Sequence, residues 1–232
     1  MRREIAGFLD SARRRGLRTS LHLLASSVWF DARFGIETRT VLEGGQLGNV
    51  QGGLHGGPGV YHAVNPVILG LALARLRTLA PTAISAGSFV DFGSGKGRAL
   101  VLAARAGFQR VVGIENSPVL HELCKSNLAA VWRRRPLLCP YELHLGDAAT
   151  FAVPDDSTVW FWFNPFDAAL VSRVAENLLA SLQRQPRTAY LIYARPAHAA
   201  VVQQLGFTVA AEIRSATTYL DALLLRLPQA SA

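Results

Sequence analysis

Lysine is almost missing from this 232-residue chain: Lys96 and Lys125 are the only two among 24 basic residues. Cysteine is as scarce. Cys124 and Cys139 are too few for a disulfide framework, and no C-x-x-C pair or cysteine–histidine cluster offers zinc ligands, so a reducing, cytoplasmic compartment and no metal are expected. Long apolar runs are missing too. A membrane-spanning helix needs about 18 consecutive apolar residues, and the most apolar helical stretch, Val67 to Ala80, is broken by Arg75 and Arg77. Arg2, Arg3 and Arg13–Arg15 ahead of Leu21–Phe30 invite a signal-peptide reading, but Asp10 and the lack of a small-residue cleavage site oppose it. What the chain does have is apolar mass. Half its residues are hydrophobic, 17% are charged and mean hydropathy is +0.22, a composition that buries a full core and does not stay disordered.

The net charge is +8, nearly all of it arginine. Residues 1–18 carry six arginines against Glu4 and Asp10, and Arg133-Arg134-Arg135 form a second cluster. Two readings stand: contact with a nucleic acid or another acidic surface through these clusters, or a solvated exterior in an arginine- and alanine-rich chain.

Residues 4–30 place apolar side chains at helical spacing (Ile5, Phe8, Leu9, then Leu17, Leu21, Leu24 and Val28), which predicts one or two amphipathic helices. Between Leu42 and Val60 lie eight of the 20 glycines, a stretch that excludes long regular elements and reads as a lid or a linker. The expected division is therefore an amino-terminal helical arm with a glycine-rich linker or lid over 1–60, and one α/β domain over 61–232. Beyond Tyr61, helices are expected from Asn65-Pro66 to Leu79, over Arg98–Ala106, from Asn116-Ser117-Pro118 to Arg133, over Ala168–Gln183 and over Pro196–Leu205. Strands are expected at Ser88–Phe92, Arg110–Ile114, Tyr141–Leu145, Thr158–Phe163, Ala189–Ala194, Phe207–Ile213 and Tyr219–Leu225. Strand and helix alternate, which implies a three-layer Rossmann-like α/β fold with a mainly parallel sheet. The turn at Ser215–Thr217 is too short for a parallel crossover, so the final pair must be antiparallel.

The chemistry-bearing segment is Phe89-Val-Asp91-Phe-Gly93-Ser94-Gly95-Lys96-Gly97-Arg98, where the first strand of the sheet meets a helix. Glycines there let backbone approach a ligand, and the helix amino terminus offers free N–H groups. Arg98 occupies the third glycine position of a dinucleotide fingerprint, and the segment lacks the G-K-[ST] ending of a P-loop. With an acid at Asp91 ahead of G-x-G-x-G, it resembles the class I S-adenosylmethionine-dependent methyltransferases.

Further positions in register carry the resemblance: Glu115 at the end of Val111-Val-Gly-Ile-Glu115, Asp147 in Leu145-Gly-Asp147-Ala148, and Asn164-Pro165-Phe166 at the end of Val159-Trp-Phe-Trp-Phe163, one residue short of the family's N/D-P-P-Y/F signature. Over Tyr61 to Leu227 the resemblance implies a seven-stranded sheet and S-adenosyl-L-methionine as cofactor. It implies that Gly93, Ser94, Gly95 and Gly97 wrap the ligand, Asp91 positions the methionine amino end, Glu115 accepts from the ribose hydroxyls and Asp147 contacts the adenine. Asn164, Pro165 and Phe166 would orient the methyl acceptor: the amide or the proline carbonyl accepts an amine N–H, and the ring packs on a flat acceptor. Tyr61 stands where related enzymes fold an amino-terminal segment over the cofactor.

Each residue also has a plainer reading. Asp91 and Asp147 suit turn caps, Glu115 suits the dipole of the next helix, Asn164 suits a strand terminator, and Tyr61 suits ordinary packing. Trp160 and Trp162 read as core, and His62, His121, His144 and His198 are scattered with no acid partner evident. The function expected is methyl transfer to a nitrogen of a protein or RNA. Asp91–Arg98 and Asn164–Phe166 resemble protein-lysine methyltransferases of this fold, and the arginine clusters resemble RNA-modifying ones. A small-molecule acceptor, a nicotinamide oxidoreductase and a non-catalytic cofactor- or nucleic-acid-binding module are the alternatives.

Overall fold

In the computed structural model, residues 12–13, 16–48, 60–163, 166–214 and 221–227 are described. Helix α1 (Leu17–Phe34) leads through a short antiparallel ladder, β1 (Leu42–Glu43) with β2 (Val60–Tyr61), to a seven-stranded sheet. The rest of the chain runs α2 (Pro66–Leu79), α3 (Pro81–Ser85), β3 (Ser88–Phe92), α4 (Arg98–Ala106), β4 (Arg110–Glu115), α5 (Pro118–Arg134), β5 (Tyr141–Leu145), β6 (Ser157–Phe163), α6 (Ala168–Arg184), β7 (Ala189–Ala194), α7 (Ala199–Gln204), β8 (Thr208–Arg214) and β9 (Asp221–Leu227). The sheet order is β5-β4-β3-β6-β7-β9-β8. Only β9 runs against its neighbours, pairing antiparallel with both β7 and β8.

The expected elements fall within a few residues of these bounds, and local chemistry explains the sharpest of them. At α2 the Asn65 side chain accepts a hydrogen bond from the Val67 N–H at 2.9 Å and Pro66 takes the first helical position, where its missing N–H costs nothing. Helix α5 repeats the device with Ser117 and Pro118. The helix expected from Pro196 starts only at Ala199, after a turn in which the Ala199 N–H bonds to the Pro196 carbonyl.

Two apolar layers cover the sheet. One gathers Phe30 and Phe34 of α1 with Leu69 and Leu76 of α2, Leu100 of α4 and Leu128 of α5; the other lies under α6 and α7. Strand β6 serves both, with Val159 and Phe161 on the first face and Trp160 and Trp162 on the second. The tryptophans are fully buried core, as expected.

The helical spacing of Leu17, Leu21, Leu24 and Val28 does form a helix, and all four side chains are exposed on it. The buried positions of α1 are Ser20, Phe30, Asp31 and Phe34, because the helix is held at its carboxyl half by an ion pair and two aromatic rings. Ile5, Phe8 and Leu9 lie outside the described residues. The glycine-rich stretch also holds short structure, a 3-10 turn at Gly44–Leu47 following β1; Gly52, Gly53, Gly56, Gly57 and Gly59 lie outside the described residues.

Candidate cofactor site

Strand β3 is buried along its length and turns at Gly93 into a loop that crosses the end of β4: the Gly93 and Ser94 N–H groups both donate to the Ile114 carbonyl, at 2.8 and 2.9 Å. The crossing is tight. A Cβ on Gly113 would meet Ser94 at 2.9 Å. Gly93, Gly95 and Gly97 all take positive φ, and at Gly95 (φ 53°) a side chain is doubly excluded because its Cβ would stand 2.3 Å from the Tyr61 ring.

Under this turn lie two buried acids. Glu115, last residue of β4, accepts from the Gly95 N–H at 2.8 Å and from the Ser117 N–H at 2.9 Å, which ties the glycine turn to the start of α5. The Asn116 N–H bonds to it as well, so of the roughly four lone-pair directions of a carboxylate about one remains for a ligand hydroxyl. Asp91 has no hydrogen-bond partner among the described residues and is 2% exposed. Burial, with the Glu115 charge adding to it, holds its carboxyl well above the usual carboxylate range. Burial also raises Glu115, opposed by the backbone N–H groups that hydrogen-bond to it. An orphaned buried carboxylate beneath a glycine cradle fits a ligand that brings a cationic amine and a hydroxyl.

The arm closes the other side of the turn, and sequence reasoning missed this. Lys96 is fully buried and its Nζ donates to Glu37 at 2.7 Å and to the Thr40 carbonyl at 2.9 Å. Arg98 is buried as well: its Nε donates to the Thr38 hydroxyl, its guanidinium reaches the Val64 carbonyl and the Asp31 carboxylate, and it stacks over Phe30. Asp31 in turn accepts from the Thr38 N–H and hydroxyl. Asn127 of α5 joins the arm to the turn, donating to the carbonyls of Glu37 and Lys96 at 3.0 Å. The available signal was Arg98 itself, read only as a failed dinucleotide glycine, with Asp31 the first acid after an acid-free stretch from Ser11 to Phe30.

Tyr61 lies with its ring against Gly95, its hydroxyl donating to the Thr38 carbonyl at 3.1 Å and Lys96 above the ring. Asp147 follows β5, where its carboxylate accepts from the Ala149 N–H at 2.9 Å, and it lines an open depression of about 490 Å³ with Ile114, His144 and Phe151. Phe166 packs edge-on to Trp162, whose buried indole N–H has no partner among the described residues. Asn164 and Pro165 lie outside the described residues; β6 ends at Phe163, beside β3 and β7. At the end of β7, Arg195 is the one non-glycine with positive φ among the described residues, and its charge joins burial in lowering the His62 pKa. Among the described residues no group of histidine, cysteine and acidic side chains is placed to hold a metal.

The second arginine cluster is partly spoken for. Arg134 and Arg135 donate to the carbonyls of Phe34 and Arg33 at the carboxyl end of α1, and Arg135 also covers the Phe34 ring. Cations there satisfy carbonyls that a helix end leaves open.

No protein-family model matches the chain, and no curated protein sequence matches it. Solved structures do. Mitomycin 7-O-methyltransferase MmcR is 18% identical with a TM-score of 0.52, covering 70% of this chain and 54% of its own. The pyocyanin biosynthetic protein PhzM is 17% identical with a TM-score of 0.50, covering 68% and 55%. Magnesium protoporphyrin IX methyltransferase (ChlM) from Synechocystis PCC 6803, solved with bound SAM, is 15% identical with a TM-score of 0.52, covering 70% and 79%. The match thus spans about half the length of the first two. Strand order and these likenesses together establish the fold: a class I, Rossmann-like methyltransferase sheet with its reversed strand at β9.

Proposed function

We propose that the chain is an S-adenosylmethionine-dependent methyltransferase acting on a nitrogen of a protein or RNA acceptor. The observation that carries the cofactor is the Asp91 carboxylate, buried and without a hydrogen-bond partner among the described residues, under a turn of three positive-φ glycines. Asp91 would hold the ammonium of the methionine moiety and Glu115 a ribose hydroxyl, while the glycine turn, its own N–H groups spent on β4, Glu115 and Ser94, would let the ligand approach its backbone closely. Tyr61 would border that ligand, and Asp147, on the rim of the depression after β5, suits the adenine amino group.

The cofactor supplies an electrophilic methyl group on a sulfonium, so the protein's part is orientation more than covalent chemistry. Asn164 and Pro165 follow Phe163 at the carboxyl end of β6, the side of an open α/β sheet where ligands bind. In the proposed role the Asn164 amide oxygen, or the Pro165 carbonyl, accepts one N–H of the acceptor amine. Its lone pair is then aimed at the methyl carbon, and the displaced proton passes to solvent. Phe166 would pack against the acceptor. Arg195 stands near His62 at this end, a cation that suits an acceptor with flanking anionic groups. A small-molecule acceptor is the second reading, favoured by the substrates that the names of MmcR and ChlM carry.

The test is labelling. Pure protein, radiolabelled S-adenosylmethionine and cell extract are mixed, and label is followed into protein, RNA and small molecules. Label in protein or RNA supports the proposal, label only in small molecules moves the acceptor, and tighter calorimetric binding of NAD than of S-adenosylhomocysteine overturns the cofactor.

A further inference from the structure

The surface that no part of this site uses is the outward face of α1. Leu17, Leu21, Leu24 and Val28 are exposed by 59, 49, 45 and 41%, at the i, i+4, i+7, i+11 spacing that gives one continuous apolar stripe, and Trp29, exposed by 61%, adds a ring about 100° further round the helix. The stripe does not await closure onto the domain, since the side of the same helix next to it is already fixed through Asp31, Phe30 and Phe34. Exposed Arg13, Arg18 and His22 accompany it, no acid occurs from Ser11 to Phe30, and Arg14 and Arg15 add to the charge.

We propose that this face and its basic flank dock the protein on an anionic lipid surface, with α1 lying in the plane of the interface. The helix has 18 residues, about 27 Å in length, and presents leucine, valine and tryptophan to one side with arginine beside them, the pattern of interfacial helices. No described helix is long and apolar enough to cross a membrane, so the helix lies on the surface and does not span it.

Charge excludes a second copy of this chain. Parallel pairing of two α1 stripes sets Arg13–Arg18 against themselves, and antiparallel pairing sets them against Arg33 and the Arg134–Arg135 pair at the other end. Asp31, the nearest acid, is already held by Arg98, Arg39 and Thr38. A nucleic acid would satisfy the arginines but gives four exposed aliphatic side chains nothing to pack on. A lipid interface takes both groups at once.

The test uses the full chain and sedimentation with vesicles of phosphatidylcholine alone or mixed with phosphatidylglycerol. Binding is expected to the anionic vesicles only, to weaken with salt, and to shift the Trp29 emission to the blue, a shift absent in Trp29→Phe. The exposed double variant Leu21→Glu/Trp29→Glu should lose binding by more than about tenfold while melting as wild type does. Replacing Arg13, Arg14 and Arg15 by alanine should lower it by about a hundredfold, each cation near the surface contributing roughly fivefold. Equal binding to neutral vesicles overturns the role of charge. Lack of vesicle binding overturns the proposal, whether accompanied by a concentration-dependent dimer abolished in the Leu21/Trp29 variant or by RNA binding that this variant retains.

Discussion

The two sides of the glycine turn are built on opposite terms. Towards the arm, the buried cations Lys96 and Arg98 are saturated: between them they engage Glu37, Thr40, Thr38, Ser27, Val64 and Asp31. Towards the sheet, the buried carboxyl of Asp91 meets no cation and no donor among the described residues, and both it and Glu115 are pushed up by burial. A charge buried with full partners holds structure, whereas a charge buried without them costs stability and is retained where a ligand completes it. The arm side therefore fixes the turn and the sheet side is shaped for a bound group.

If the arm side is structural, breaking it should have the largest effect of any single change. Arg98→Ala leaves buried Asp31 with only the partly exposed Arg39 as cation and should cost about 3–5 kcal/mol, lowering the melting temperature by roughly 8–15 °C. Arg98→Lys should recover only part of this, because an ammonium cannot reach Thr38, Val64 and Asp31 together. A wild-type melting curve for Arg98→Ala would show that the network contributes nothing.

The sheet side should respond chiefly in function. Asn164→Ala is expected to leave S-adenosylmethionine affinity within about threefold while reducing methyl transfer by roughly a hundredfold, the size seen when an orienting polar group is removed. Near-wild-type transfer would make Asn164 a strand terminator and remove the nitrogen inference with it. Glu115→Ala should weaken S-adenosylhomocysteine by about 1.5–3 kcal/mol, the scale of lost charge-assisted hydrogen bonds. Because Glu115 also tethers Gly95 to Ser117, Glu115→Gln separates the roles: the amide oxygen still accepts one backbone N–H. Retained affinity in both variants would leave the acid as a turn tether only.

This contrast also marks what the sequence discloses. Strands Ser88–Phe92, Tyr141–Leu145 and Ala189–Ala194 and helix Arg98–Ala106 were legible to the residue, because all but Ala189–Ala194 are bounded directly by glycine or proline and that strand is an uninterrupted apolar run. The positive-φ glycine turn between β3 and α4 was legible too, whereas its crossing over the end of β4 was not. The partners of Lys96 and Arg98 were not, for they lie about 60 residues away in an arm whose periodicity pointed the other way. Helical spacing locates a stripe but not what it faces, and in α1 the one ion pair to Arg98 decided the outcome over four aliphatic side chains.

The smallest expected effect tests the unpartnered acid directly. Below about pH 4 the Asp91 carboxyl is protonated in both folded and unfolded chains and costs nothing. As pH rises from there, the unfolded chain releases its proton while the folded chain, whose carboxyl burial and Glu115 hold up, keeps it, so stability falls with pH until the raised value is passed. Asp91→Asn removes that loss. The variant should melt above wild type at neutral pH, with the difference closing as pH falls towards 4. Binding should move the opposite way: the ammonium of S-adenosylhomocysteine favours the ionised acid, so wild-type affinity rises with pH across the same window. The variant should bind about tenfold more weakly at neutral pH, the difference between a charge-assisted and a neutral hydrogen bond. A shallower slope should persist in it, because Glu115 is raised as well. Calorimetric titrations and thermal melts of both proteins across this range decide the matter. Equal affinity with an unchanged slope would show that Asp91 packs beneath the turn and touches no ligand.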